Sequence, residues 1–311
     1  MADLPESPFK DYSGAGLSTL RASLGSFRAT PSIALGQKTL SVIQLIQALQ
    51  SPETRELALQ LLSKNKGVHE DLACLLWNSF GTISLLLQEI ISVYRSLSTP
   101  SFSERSSGRV CNVLALLQCV ASHPDTRKQF IKANIPVYLY PFLNIVNKEK
   151  PYEFVRLTSL GVIGALVKTG DVEVVHFLLS TQIFPHCLRC MEVGNELSKT
   201  VATFIIHKIL MHHEGLQYCC RIAERFDAVG HALANMVEYL AKEPSPRLLQ
   251  HIISCYLRLS QSPRACHALS RFFPMRLSDD TFVGLLKDDP AAKSSLQQLM
   301  YNLVDGHIPT T

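Results

Sequence analysis

Histidine and cysteine stand together at His186-Cys187-Leu188-Arg189-Cys190, the one Cys-x-x-Cys of the chain and the first place to look for a metal. A structural zinc site takes four ligands, usually from two such pairs, and no second pair exists here. Cys219-Cys220 with His212 and His213 would have to complete it from a separate helix and turn, so small half-buried helical cysteines account for the cluster better. Catalytic signatures are missing too: there is no Gly-x-Ser-x-Gly, no Walker loop, no His-Glu-x-x-His and no glycine cluster after a strand. Carboxylates such as Glu53, Asp125, Asp171 and Asp279 fall at expected helix starts, where the helix dipole explains them without a reaction. The expectation is a chain with no catalytic residues, no cofactor and no resident metal, hence not an enzyme.

Cations and aromatics remain as recognition chemistry. Arg109, Arg156, Lys168, Lys199, Lys208, Arg247 and Arg258 recur on the apolar helices that end each repeated unit. In three-helix repeats that last helix lines the concave surface, so Arg109, Arg156, Lys199 and Arg247 could form a basic groove for a phosphate backbone or an acidic peptide. The plainer alternative is a scatter of solvated charges, since these residues are not interleaved with aromatics. Tyr138, Tyr140, Phe142, Tyr152 and Phe154 read mostly as core, with one or two free to anchor a peptide at about 2 kcal/mol apiece.

The elements that must position such residues repeat. An apolar helical stretch, a short polar turn and a second helical stretch recur around Ser122–Arg127, Lys168–Val172, Met211–Gly215 and Ser260–Arg264. The units start roughly 43 to 49 residues apart, close to the period of about 40 to 47 of armadillo and HEAT repeats. One unit cannot bury its apolar face alone, so neighbours stack, and an all-α helical-repeat solenoid follows. Helix starts are punctuated, as at Ser51-Pro52-Glu53-Thr54, which offers an N-cap, a first-turn proline and an acid near the positive dipole end.

The 311 residues carry a formal charge of +4, so affinity for nucleic acid would need a local patch. The apolar run Leu157–Val167 falls short of the roughly 20 residues that span a bilayer and reads as a core helix, with no membrane partner. Nine cysteines scattered mostly singly through apolar segments fit a reduced cytoplasmic or nuclear protein. Residues 1–37, rich in Ser, Gly, Pro and Ala, read as a disordered leader; a transit peptide is the rival, but Asp3, Glu6 and Asp11 are too acidic for one. Residues 38–304 form the repeat domain and 305–311 a flexible tail. Within the domain, Ser98–Ser107 reads as a loop, while Val137–Val146 and Asp279–Leu286 read as helices.

Several runs go beyond repeat texture: Leu76-Trp77-Asn78-Ser79-Phe80-Gly81-Thr82-Ile83, Ala115–Pro124, Arg156–Lys168, Glu196–Ile206 and Cys255–Ser260. Together these resemble the "required for cell differentiation" family, the armadillo-repeat subunit of the CCR-NOT deadenylase complex, over roughly Lys38 to Leu303. The resemblance implies about six armadillo repeats and a non-catalytic adaptor. Such an adaptor docks on the NOT scaffold subunit and recruits RNA-bound regulators through short peptide motifs, in messenger-RNA decay and translational repression. It also implies work in both cytoplasm and nucleus, and it leaves room for a homodimer and for weak nucleic-acid binding.

Residue by residue, the resemblance implies scaffold docking through Asn78, Phe80, Ser84 and Ile91. It implies a concave peptide groove at Phe154, Gly161 and Val201, with phenylalanine where the family usually has tyrosine. Convex pockets that take tryptophan in animal members correspond to Arg225, Arg264 and Ala268, but a pocket-wall tyrosine of those members corresponds to Ala223, which removes a stacking ring. The alternative from another class is a nucleic-acid-binding transcriptional cofactor that uses the basic groove.

Overall fold

The computed structural model describes residues 41–67, 69–99 and 102–305. The leader read over residues 1–37 and the tail beyond Asp305 lie outside them. Among the described residues there are helices and no strands. The described residues divide into two compact units, the first running to residue 141 and including 149–165, the second taking 142–148 and the residues from 166 on.

In chain order the first unit takes α1 (Val42–Ala48), α2 (Pro52–Lys64), α3 (Leu72–Asn78), α4 (Thr82–Ser92), α5 (Glu104–Ser122) and α6 (Pro124–Lys132). After the short α7 (Tyr140–Leu143) comes α8 (Lys150–Val167), most of which belongs to this unit. α5 is the hub, packed against α2, α3, α4 and α6. Leu59, Leu62, Leu72, Leu76, Leu86, Leu117 and Phe130 are fully buried between them, each worth roughly 1.5–3 kcal/mol of transfer from water.

The second unit holds α9 (Val172–Ser180), α10 (Ile183–Val193), α11 (Glu196–Met211), α12 (His213–Cys220), α13 (Ala223–Leu240), α14 (Pro246–Ser260), α15 (Pro263–Phe272), α16 (Val283–Leu286) and α17 (Pro290–Asp305). Here α11, α14 and α17 pack in series, with α10, α13 and α15 flanking them. Phe184, Ile205, Ile252, Tyr256 and Leu259 fill the interior.

The repeat period is written into side-chain hydrogen bonds. In the first unit Ser63 bonds Asn112, Ser107 bonds the Pro151 carbonyl and Gln118 bonds the Gly161 carbonyl, at separations of 49, 44 and 43 residues. In the second, Ser245 bonds Glu196 and Arg258 bonds the Leu210 carbonyl, at separations of 49 and 48. Gln118 serves two neighbours at once, accepting from Lys66 Nζ at 3.1 Å and donating to Gly161 at 3.2 Å.

The turns repeat a chemistry of their own. Pro52 and Pro124 open α2 and α6 with no backbone donor to leave unpaired. Two residues on, the buried hydroxyls of Thr54 and Thr126 donate back six residues, to the carbonyls of Ala48 (2.7 Å) and Val120 (2.6 Å). Each threonine thereby closes the end of the preceding helix, whose last carbonyls have no partner of their own. Ser51 has the extended backbone of an N-cap, yet its hydroxyl accepts no backbone N–H of the helix and donates to the Glu53 carboxylate, which holds that carboxyl below its usual pKa.

Three expectations on local structure change. The serines read as a loop before Val110 begin α5: Ser103 is its N-cap and accepts from the Ser106 backbone at 3.1 Å, so serine-rich sequence here marks a helix start. Val137–Val146 is a 3-10 turn (Ile135–Leu139) followed by the one-turn α7, because Pro141 offers no donor to extend a helix ladder. Asp279–Leu286 is likewise a 3-10 turn and the one-turn α16, with Asp279 capping Thr281 N at 2.8 Å.

Candidate functional site

The face built around α3 and α4 gathers the residues expected to dock. Gly81 joins the two helices at φ 74°, a left-handed conformation that costs glycine nothing and most other residues about 1–2 kcal/mol. A Cβ there would meet no atom within 4 Å, so the backbone angle alone demands glycine. The corner thrusts Phe80 into solvent at 99% exposure while Thr82 is fully buried. Along α4, Leu85, Leu86, Glu89 and Ile90 face inward, and Ser84, Gln88 and Ile91, at helical spacing of four and three, form the outward stripe. Asn78, at the end of α3, is exposed as well. Sequence alone does not reveal the charge hub behind that stripe: the Glu89 carboxylate holds Arg55 at 3.1 Å and Arg109 Nε at 2.6 Å.

That hub bears on the basic groove, which the side-chain placements correct. Arg109 is held by Glu89, a carboxylate that it shares with Arg55. Arg156 is 0% exposed and paired with Glu153 one helical turn away. Lys199 is buried and donates to the carbonyls of Met191 and Glu192 at the end of α10, 5.0 Å from the Tyr239 ring. These carbonyls carry the negative end of a helix dipole, so a lysine tucked beneath them is a cap. Of the four cations, Arg247 alone is exposed. Arg156 and Lys199 are too deeply buried to meet a phosphate backbone.

The groove residues fall in both units. Phe154 and Gly161 lie two turns apart on one face of α8; Phe154 is half-buried, and Gly161 is buried against Gln118 of α5. A Cβ on Gly161 would come 3.4 Å from Gln118 Nε2, ordinary contact with the end of a flexible side chain. In the second unit Val201 on α11 is 8% exposed. Farther along α11, His207 meets His251 of α14 with ring centroids 5.6 Å apart, and Phe204 stands 5.4 Å from His251. Burial pushes both imidazoles down to a pKa of about 4, with the Lys208 charge adding to the shift at each. Single histidines at ordinary helical positions gave no signal of this pair. Of the aromatics weighed as anchors, Tyr140, Phe142 and Tyr152 are core, while Tyr138 is exposed.

The convex candidates lie on two helices, Arg225 on α13 and Arg264 with Ala268 on α15. Arg225 lies 3.5 Å over the Tyr218 ring centroid and donates to the Tyr218 carbonyl, so its guanidinium has a ring of its own although position 223 is an exposed alanine. Arg264 and the half-buried Ala268, four residues apart on α15, share a face. Hydrogen bonding from Cys219 holds the Cys220 thiol below its usual pKa, and Ser262 and the Arg264 charge add to it. A cleft of about 300 Å³ opens between α10 and α13, lined by Leu188, Arg189, Met191, His231 and Asn235 among others, and holds none of the expected site residues.

The Cys-x-x-Cys is structural. Cys187 and Cys190 are buried, Cys190 reaching the Leu143 carbonyl at 3.4 Å, while His186 bonds Asn144 at 2.8 Å. No cysteine is in a disulfide. Among the described residues no single helix is long and apolar enough to cross a membrane.

Comparison with known proteins agrees with this architecture. A designed armadillo repeat protein superposes with a TM-score of 0.62 at 16% identity, covering 85% of this chain and all of its own. A second, solved in complex with the peptide (KR)4, gives 0.61 at 16% identity over 85% of this chain and all of its own. The fold is therefore an armadillo-type helical-repeat solenoid. In sequence, the cell differentiation protein rcd1 of Schizosaccharomyces pombe is 55% identical over 264 residues, 85% of this chain and 93% of that protein. Protein CAF40 of Saccharomyces cerevisiae is 51% identical over 250 residues, 80% of this chain and 67% of that protein. The family model described as "Cell differentiation family, Rcd1-like" matches residues 45–303, nearly all of the described repeats, and the chain belongs to that family.

Proposed function

We propose that the protein is a non-catalytic adaptor subunit of the CCR-NOT deadenylase complex, docking on the NOT scaffold through the α3–α4 face. It recruits RNA-bound regulators by short helical peptides, in cytoplasm and nucleus. The observation that carries this reading is Phe80, a large apolar ring 99% exposed on a corner fixed by Gly81, with the 45% exposed Ile91 on the stripe of the following helix. An aromatic left in water by a rigid backbone contributes roughly 1.5–3 kcal/mol when a partner covers it, with little ordering cost. The half-buried Phe154 supports a peptide contact on α8. Val201 is the poorer probe, because a charge placed there would disturb the interior before it disturbed a ligand.

The test is a pull-down with the middle region of the NOT scaffold. Ser84→Tyr combined with Ile91→Tyr changes only exposed positions, so helical circular dichroism is expected to stay native while binding is lost. Retained binding by the folded double variant overturns the docking assignment.

A further inference from the structure

We infer that Cys74, His123 and Asp125 form a divalent transition-metal site in the first unit, with zinc the metal that best suits the ligands. Cys74 lies in α3, His123 caps both α5 and α6, and Asp125 stands in the first turn of α6. Cys74 Sγ is 3.7 Å from His123 Nδ1 and 3.9 Å from Nε2. One ligand atom from each of the three residues lies within 4.8 Å of the others.

Those spacings can be set against coordination geometry. Bond lengths of about 2.3 Å for Zn–S and about 2.0–2.2 Å for Zn–N and Zn–O at tetrahedral angles put ligand atoms roughly 3.3–3.6 Å apart. The sulfur–imidazole spacing already falls close to this range. Cys74 and His123 are half-buried, whereas Asp125 is exposed and free to rotate inward.

The ring is also in the tautomer such a site needs. His123 Nδ1 accepts from the Asp125 backbone N–H at 3.3 Å, so that nitrogen carries a lone pair and the proton of the neutral ring is on Nε2. The bond is long for a cap, and a metal would take over the lone pair at the nitrogen nearer the sulfur.

Charge and softness favour the same ion. One thiolate and one carboxylate neutralise a dication, which lowers the cost of holding it in a half-buried place. Sulfur, imidazole and carboxylate together suit zinc, with water in the fourth position. A metal there would tie α3 to the α5–α6 junction just before the Asn78–Phe80 corner.

The experiment uses the full chain, stripped with a chelator, kept under a thiol-free reductant and titrated with cobalt(II). A thiolate-to-cobalt charge-transfer band saturating at one equivalent, bleached by zinc(II), is expected. Cys74→Ser and Cys74→Ala should each abolish the band with native circular dichroism. Asp125→Asn should raise the apparent Kd at least about tenfold, a loss seen even for outer-shell partners. Cys119→Ser, four residues before His123, should keep the band and so separates the Cys74 thiol from its neighbour. No band at one equivalent, a band retained without Cys74, or a band lost with Cys119 overturns the assignment.

Discussion

Glu89→Gln is the most informative single substitution. The carboxylate has 7% side-chain exposure and holds Arg55 and Arg109, whose side chains are 17% and 37% exposed. A carboxamide keeps the shape but loses the charge, and its NH2 group faces guanidinium donors that need an acceptor. Removing one partner of a fully buried pair costs about 3–5 kcal/mol. Two features reduce that here. Arg55 keeps the Leu49 and Gln50 carbonyls as acceptors, at 2.8 and 3.3 Å, and Arg109 can rehydrate. About 2–3 kcal/mol remains, measurable as a lower urea midpoint at unchanged m-value. Because Glu89 lies on the inward face of α4, scaffold binding should persist wherever the variant is folded. A stability loss under about 0.5 kcal/mol, the scale of an ordinary surface change, would refute the hub. So would additive costs in a double-mutant cycle of Glu89→Gln with Arg109→Ala.

Other outcomes follow from single contacts. Gly215→Ala places a Cβ 1.9 Å from the Ile209 carbonyl oxygen, so α12 must shift; a loss of about 3 kcal/mol is expected in denaturant unfolding. Gly161→Ala meets only the end of Gln118 and should instead stabilise by roughly 0.5–1 kcal/mol, since alanine is the better helix former. Phe80→Ala should leave the melting temperature nearly unchanged, because the ring packs against nothing in the fold, and on the docking proposal it should weaken the scaffold pull-down. The His207–His251 pair sets an acid dependence. Both pKa values lie near 4, below the usual 6.5, so protons bind the unfolded chain more readily; stability is complete above about pH 6.5 and is lost as pH falls toward 4. A loss on the order of 2 kcal/mol per histidine by pH 4.5, roughly halved in His207→Gln, is expected in thermal melts across that range.

The repeat period, the all-helical class and the family were legible in the chain, because each rests on local pattern. Pro52 and Pro124 at helix starts, the apolar spacing of α4 and the Trp77–Thr82 run need no distant partner to be recognised. The left-handed corner at Gly81 and the exposure of Phe80 on it come from the backbone, since other glycines of the chain, such as Gly161 and Gly215, are helical. Serine-rich sequence before Val110 misled, since Ser103 offers the same hydroxyl to a loop or to an N-cap and only the following backbone decides.

Tertiary structure decided what each charge does. Arg109, Arg156 and Lys199 look alike in sequence, yet one is held by Glu89, one is sealed with Glu153 and one caps α10. The same holds for Cys74 and His123, 49 residues apart in the chain and 3.7 Å apart in the fold. Helical periodicity tells which side of a helix is apolar. It cannot tell which residue one repeat away lies across from it, because that depends on how neighbouring helices pack. So the sequence by itself determined a stack of helical repeats, and packing determined which cations remain free and which distant side chains meet.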